Sequence, residues 1–203
     1  MPKVTEYDTI SLYLILSDRK EKDMFDRIQT WDNRILSRLA KKHTPVLDRL
    51  MVIITTTGNY GYIWFALSVP LLIINRTRLT GITMILAMLI TGLTGEITIK
   101  HIVARVRPCN KEFGKDLLIK HPAHYSFPSG HTASSFAVSM VMLFMLPTIF
   151  VPVVIYATLM GFSRIYLLVH YPTDVIAGSV LGVICGTIAV CVSPYIPFFS
   201  FLY

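Results

Sequence analysis

Three short segments of this chain carry side chains suited to holding and transferring a phosphoryl group. The first runs from Lys100 through Arg105 and Arg107 to Pro108. Lys100 and Arg107 stand seven positions apart, two turns along a helix, so both can face the same way before Pro108 stops it. Taken alone, cations at a helix end read as snorkelling or dipole partners. The second segment, from Ser126 through Pro128, Ser129, Gly130 and His131, opens an apolar stretch. Ser129 suits an N-cap, and Gly130 leaves the first-turn amides unobstructed, which makes a ready anion site. His131 falls in that first turn, either beside a bound anion or as a capping or interfacial histidine. The third segment holds Ser163, Arg164, His170, Pro172 and Asp174. Arg164 interrupts an apolar run at a cost of about 2.5–3.5 kcal/mol or more in a membrane, so it needs a partner or a function. Pro172 fits the first turn of a helix, placing His170 just before it and Asp174 within it. A carboxylate four residues from an imidazole can hold one ring nitrogen and leave the other free to attack; the pair could equally be structural.

Together these segments supply three cations, a serine and free amides for an anion, and two histidines, one with a carboxylate partner. A tetrahedral oxyanion carrying about two charges is the ligand that uses them all.

The elements that must position these residues are apolar helices. Of 203 residues 53% are hydrophobic and only 15% charged, whereas a soluble domain has about 25% charged residues. Five long apolar stretches, Asn59 to Asn75, Thr80 to Thr98, Thr132 to Ile149, Phe150 to Val169 and Asp174 to Val192, each approach the roughly 20 residues that cross a bilayer. They lack barrel alternation, so the expected fold is all-α, a polytopic transmembrane helix bundle with five spans. A partial helix from Val46 to Ile54, capped by Thr55, Thr56, Thr57 and Gly58, makes a sixth span possible. Residues 1–58 form an N-terminal amphipathic or interfacial segment, and residues 59–203 the membrane-embedded domain. Within the first, Phe25, Ile28, Trp31, Ile35, Leu36 and Leu39 recur at helical spacing between Met24 and Lys42, which suits a helix on the membrane surface or one packed on the rest. The first apolar stretch, Ile10 to Leu16, is short and followed by charges, so no cleavable leader is expected. Tyr60, Tyr62 and Trp64 at one end, and Tyr195, Phe198, Phe199 and Tyr203 at the other, suit interfacial aromatic belts. The connections 100–130 and 169–173 are separated by two spans and therefore share a membrane face.

Net charge is +7, which in so apolar a chain points to an anionic membrane surface and not to nucleic acid. Cys109, Cys185 and Cys191 lack metal-ligand spacing and read as packing residues. His121 and His124 have no carboxylate or cysteine partners nearby and read as loop or substrate-entry residues, so no metal or other cofactor is expected. Glu96, one turn before Lys100, is expected to pair with it. His101 and Arg105 read as headgroup contacts.

The Lys-x6-Arg-Pro, Pro-Ser-Gly-His and Ser-Arg-x5-His-x3-Asp segments occur complete and in order, and they resemble the signature of the type 2 phosphatidic acid phosphatase superfamily. That superfamily includes bacterial lipid phosphate phosphatases, undecaprenyl pyrophosphate phosphatases, glucose-6-phosphatase and vanadium haloperoxidases. The similarity covers roughly Asn59 to Val192. Many bacterial members look six-spanning, whereas this N-terminal region lacks an obvious first span. The resemblance implies that His170 attacks phosphorus to form a phosphohistidine, that Asp174 orients it, and that His131 protonates the departing oxygen and later takes a proton from water. It further implies that Lys100, Arg107, Arg164, Ser129 and the Gly130 amide bind the phosphoryl oxygens, and that no metal is needed.

The expected substrate is a lipid phosphate or pyrophosphate: undecaprenyl pyrophosphate, phosphatidylglycerol phosphate or phosphatidic acid. No protein partner is expected beyond the phospholipid bilayer itself. A lipid phosphotransferase keeps the site and changes the acceptor, whereas a transporter or structural membrane protein would not require the three segments in order. The chain is expected in the cell membrane. The resemblance places the site on the extracytoplasmic face. With five spans the clustered lysines and arginines point to the cytoplasm, a conflict that an N-terminal crossing would remove.

Overall fold

The computed structural model describes residues 6–111, 117–123 and 125–195, with side chains from Lys22 onward. Among the described residues eight α-helices follow one another: α1 (Glu6–Leu39), α2 (Pro45–Thr57), α3 (Tyr62–Ile73), α4 (Arg78–Thr91), α5 (Lys100–Val103), α6 (Gly130–Met145), α7 (Phe150–Tyr166) and α8 (Pro172–Val192). A π-helical stretch, Gly92–Ile99, joins α4 to α5 without a break. Among the described residues there is no strand. The all-α expectation holds.

The centre of the bundle is α6, packed most closely on α8. Gly178, Gly182 and Gly186 form one ridge of α8 at i, i+4, i+8 spacing. A Cβ there would come within 2.6, 2.3 and 2.5 Å of the backbone carbonyls of Ser129, Ala133 and Ala137. Without a strong hydrophobic drive in lipid, this small-residue contact lets the helices approach and gain van der Waals packing. Trp64 of α3, Met84 and Ala87 of α4, and Val138, Val141 and Met142 of α6 complete the core beside it. Trp64 was expected in an aromatic belt, but only 2% of it is exposed, and its indole N–H donates to Ser135 Oγ at 3.1 Å. Tyr60, Tyr62 and Tyr195 are exposed; Phe198, Phe199 and Tyr203 lie outside the described residues.

The number of spans falls below the expected five or six. Among the described residues three stretches are long and apolar enough to cross a membrane: Asn75–Asn110, Pro147–Tyr166 and Pro172–Val192. Pro45–Thr57 and Asn59–Ile73, bent by 53°, would together make a fourth. At 1.5 Å per residue the 12 residues of α3 reach about 18 Å and the 16 of α6 about 24 Å, short of a hydrocarbon core of about 30 Å. This short α6 is flanked by α4, α7 and α8, so it has neighbours where an outer helix has lipid. The bend between α2 and α3 sits at Tyr60 and Gly61, both with positive φ.

The expected amphipathic helix is present as α1, but turned about its axis. Asp32 and Leu36 are buried, with Gln29 and Asn33 half-buried beside them, while Met24, Ile28 and Trp31 are exposed. The N-terminal part of the apolar stripe, Met24 to Trp31, therefore faces away from the bundle, while Leu36 and the polar Asp32 pack onto it.

Candidate active site

The end of the long α4–α5 rod, the start of α6 and the α7–α8 junction meet at one end of the bundle. Lys100 opens α5, the last turn of the rod. Ala104, with φ +49°, ends the helix four residues before Pro108. Arg107 therefore reaches the site from an extended segment (φ −66°, ψ 149°) and not from a second helical turn as the spacing suggested. Its guanidinium donates to the Val169 carbonyl at 3.0 Å and to the Ala123 carbonyl at 3.4 Å. It also donates to Nε2 of His170 at 3.0 Å.

His170 lies in the turn between α7 and α8, 1% exposed. The turn is held from within, because the amides of Val169 and His170 both donate to the Arg164 carbonyl at 3.2 Å. Burial first, then the charges of Arg107, Arg164 and Lys100, push the His170 imidazole well below its ordinary pKa. The neutral ring is thereby favoured, and its Nε2 lone pair accepts the Arg107 hydrogen bond.

Asp174 was expected to hold the other nitrogen. Its Oδ2 lies 3.6 Å from His170 Nδ1, longer than a hydrogen bond. The carboxylate is instead engaged elsewhere: Oδ2 accepts the Tyr171 amide at 2.9 Å and Oδ1 accepts Arg105 Nη1 at 2.7 Å. Catalytic hydrogen bonds are often this long before substrate binds.

Ser129 takes the N-cap position of α6, but its hydroxyl does not cap the backbone; it pairs with Thr132 Oγ1 at 2.9 Å. Its amide donates to the Asp174 carbonyl at 3.0 Å, tying the α6 start to α8. Gly130 opens α6, and His131 follows in its first turn, with Nε2 3.1 Å from Asn59 Oδ1. Electrostatically His131 feels Arg164, His170, Lys100 and Arg107 together. A Cβ at Gly58 would lie 2.8 Å from the His131 ring, so the break after α2 must come this close. Arg164 is buried in α7; its Nη1 donates to Thr55 Oγ1 of α2, and its Nε has no hydrogen-bond partner. Lys100 Nζ bonds both carboxylate oxygens of Glu96, at 2.7 and 2.6 Å, which is the expected pair.

Two residues outside the expected set organise the site. Arg105, read from the sequence as a headgroup contact, donates to Asp174, to Thr173 Oγ1 at 2.7 Å, to Asp32 Oδ2 at 2.7 Å and to Gln29 at 3.0 Å. It lies 3.9 Å over the Tyr171 ring. Asp32, fully buried, also accepts the Thr173 amide at 3.0 Å and its hydroxyl at 2.5 Å. The signal was a carboxylate one turn before Leu36 on the inward face of α1. Among the described residues no group of three or more His, Cys, Asp or Glu side chains converges as metal ligands. His121 is described and His124 is not.

The arrangement offers a buried neutral imidazole, a second imidazole, three cations and a helix N-terminus around one small volume. The PAP2 superfamily model matches residues 80–197, which hold every one of these groups except Thr55, Asn59 and the α1 side chains. An undecaprenyl-diphosphatase of Sulfolobus acidocaldarius is 37% identical over 67% of this chain and 66% of its own length. A Bacillus subtilis undecaprenyl-diphosphatase is 36% identical over 71% of this chain and 74% of its own. Among solved structures, a PAP2-type phosphatidylglycerolphosphate phosphatase of B. subtilis superposes with a TM-score of 0.71 at 25% identity, covering 95% of this chain and 99% of that one. Aquifex aeolicus LpxE gives 0.68 at 31% identity, covering 78% and 93%. With a family match over more than half its length, this chain belongs to the PAP2 superfamily, and it is a lipid phosphatase of that type.

Proposed function

We propose that the chain hydrolyses the terminal phosphate of a lipid diphosphate or phosphomonoester through a phosphohistidine at His170. Nε2 attacks phosphorus, and the bond from phosphorus to the departing oxygen breaks. His131 gives that oxygen its proton. Water then attacks the phosphohistidine, the N–P bond breaks, and His131 takes the proton back as inorganic phosphate leaves. Asp174 closes on Nδ1 and stabilises the charged imidazole, while Lys100, Arg107, Arg164, Ser129 and the Gly130 amide hold the phosphoryl oxygens.

The observation that carries this reading is the 3.0 Å contact between His170 Nε2 and the Arg107 guanidinium. A phosphate oxygen on Arg107 would bring phosphorus beside the attacking nitrogen. Two relatives at 36–37% identity are named for undecaprenyl diphosphate, which favours a polyprenyl diphosphate as substrate. Phosphatidylglycerol phosphate is a second reading, favoured by a phosphatidylglycerophosphatase of B. subtilis that aligns over 88% of this chain at 26% identity. Phosphate release from either lipid, with no second lipid as acceptor, tests hydrolysis against phosphotransfer. A folded His170→Ala variant should release none; release at the wild-type rate would refute the nucleophile.

We place the site on the extracytoplasmic face of the cell membrane, the side implied by the resemblance to bacterial lipid phosphatases. Lys100, Arg107 and Arg164 are then substrate ligands and carry no weight as topology signals.

A further inference from the structure

Glu96 is an acidic side chain in a site built for anions. Its two carboxylate oxygens take the ammonium of Lys100, at 2.7 and 2.6 Å. The same carboxylate lies against the start of α6: a Cβ on Gly130 would come within 2.0 Å of Glu96 Oε1. The group thus rests between a phosphate-binding cation and the glycine that opens the α6 N-terminus, where an oxyanion of the substrate would bind. The Lys100 side chain is only 5% exposed while that of Glu96 is 45% exposed, so the lysine is enclosed and the carboxylate lies on the open side of the pair. Glu96 also sits in the π-helical stretch Gly92–Ile99, an irregularity frequent at functional sites.

From this geometry we infer that Glu96 is a built-in competitor that sets the charge a substrate must carry. The inference rests on the proposed phosphoryl site. A carboxylate and a phosphodiester each present one negative charge over two oxygens, so a diester headgroup exchanging with Glu96 on Lys100 gains little. A phosphomonoester or terminal diphosphate brings a further charge and a third oxygen, which Arg107 and Arg164 receive once Glu96 is displaced. The surrounding bilayer is full of monoanionic diesters, and the device keeps them out. When inorganic phosphate leaves, the carboxylate returns to Lys100. Glu96 is a specificity-determining residue and takes no part in bond making.

The test uses purified full-length protein in detergent micelles, wild type and Glu96→Gln. Inhibition is measured with orthophosphate and with dimethyl phosphate, and turnover with a dianionic phosphomonoester lipid in the presence of phosphatidylglycerol. Wild type should bind orthophosphate about tenfold or more tighter than dimethyl phosphate, the factor that about 1.4 kcal/mol of differential binding gives. In Glu96→Gln the dimethyl phosphate constant should fall by about that factor, phosphatidylglycerol should become an inhibitor, and KM should drop without a rise in kcat. Equal wild-type affinity for the two anions overturns the inference whether or not the variant folds. So does a folded variant whose anion discrimination is unchanged, as a purely structural ion pair would give. Turnover by a folded His170→Ala variant would instead count against the phosphohistidine reading, while the two anion constants of wild type still decide the inference.

Discussion

Burial first, and then three nearby cations, oppose protonation of His170 and hold its imidazole below the ordinary range. In the proposed mechanism the neutral form is the nucleophile, so protonation abolishes attack, and a lowered pKa moves that loss to more acid pH. The acid limb of kcat/KM due to this group should therefore lie below about 6.5, the ordinary imidazole value. Arg107→Gln removes one of the opposing charges, so its acid limb should shift to higher pH. The same change should lower kcat by about 10²–10³, the scale of a lost oxyanion donor. A pH–rate profile of both proteins checks this; an unmoved limb would mean that Arg107 does not act on His170. The histidines, the three cations and Asp174 were legible as a set: each has a structural use by itself, but the three segments together match a phosphoryl group. Arg105 was not: beside Arg107 it looked like a second surface cation. Only the fold shows that it takes the Asp174 carboxylate, which lies 3.6 Å from the imidazole.

Helix α1 reaches the catalytic turn through Asp32, which binds Arg105 and both the amide and hydroxyl of Thr173. Arg105 then holds Asp174. A helix with its apolar stripe outward and a buried carboxylate inward is a positioning element for the α7–α8 turn. Asp32→Asn keeps the shape and removes the charge, leaving Arg105 to draw Asp174 further from His170. The expected result is a fall in kcat with little change in KM, together with a loss of about 3 kcal/mol or less of stability, the lower range for breaking a buried pair. Substrate kinetics and thermal unfolding in detergent read both; a change in KM alone would contradict positioning. The sequence showed that this helix exists, because its apolar period is plain. It did not show which face turns inward, since in a membrane chain the apolar face is free to meet lipid. The helix of Lys100 likewise ended earlier than Pro108 implied, at Ala104, for which the sequence carries no breaker.

At the scale of the whole molecule, a short, enclosed α6 carries the proposed anion site at its N-terminus, and α8 packs against it through a glycine ridge. Hydropathy found the apolar stretches but not their lengths as helices, because an enclosed helix and a lipid-facing one look alike in composition. The Gly178, Gly182 and Gly186 spacing was the available signal for the α6–α8 contact. Since Asp32 of α1 meets Thr173, the basic residues around Asp32 share a face with the active site. A cysteine at exposed Lys120, with exposed Cys191 changed to serine and Cys109 and Cys185 left buried, reports which face that is. A membrane-impermeant maleimide should label it in intact cells; labelling only after permeabilisation would put the site on the cytoplasmic face. The central claim is the covalent intermediate. Acid-labile, base-stable radioactivity should appear on the protein when enzyme and terminally ³²P-labelled lipid substrate are mixed and quenched within one turnover. Mass spectrometry under neutral or basic conditions should assign it to His170. Phosphate released in that turnover with no label on the protein, or with label on another residue, would contradict the mechanism.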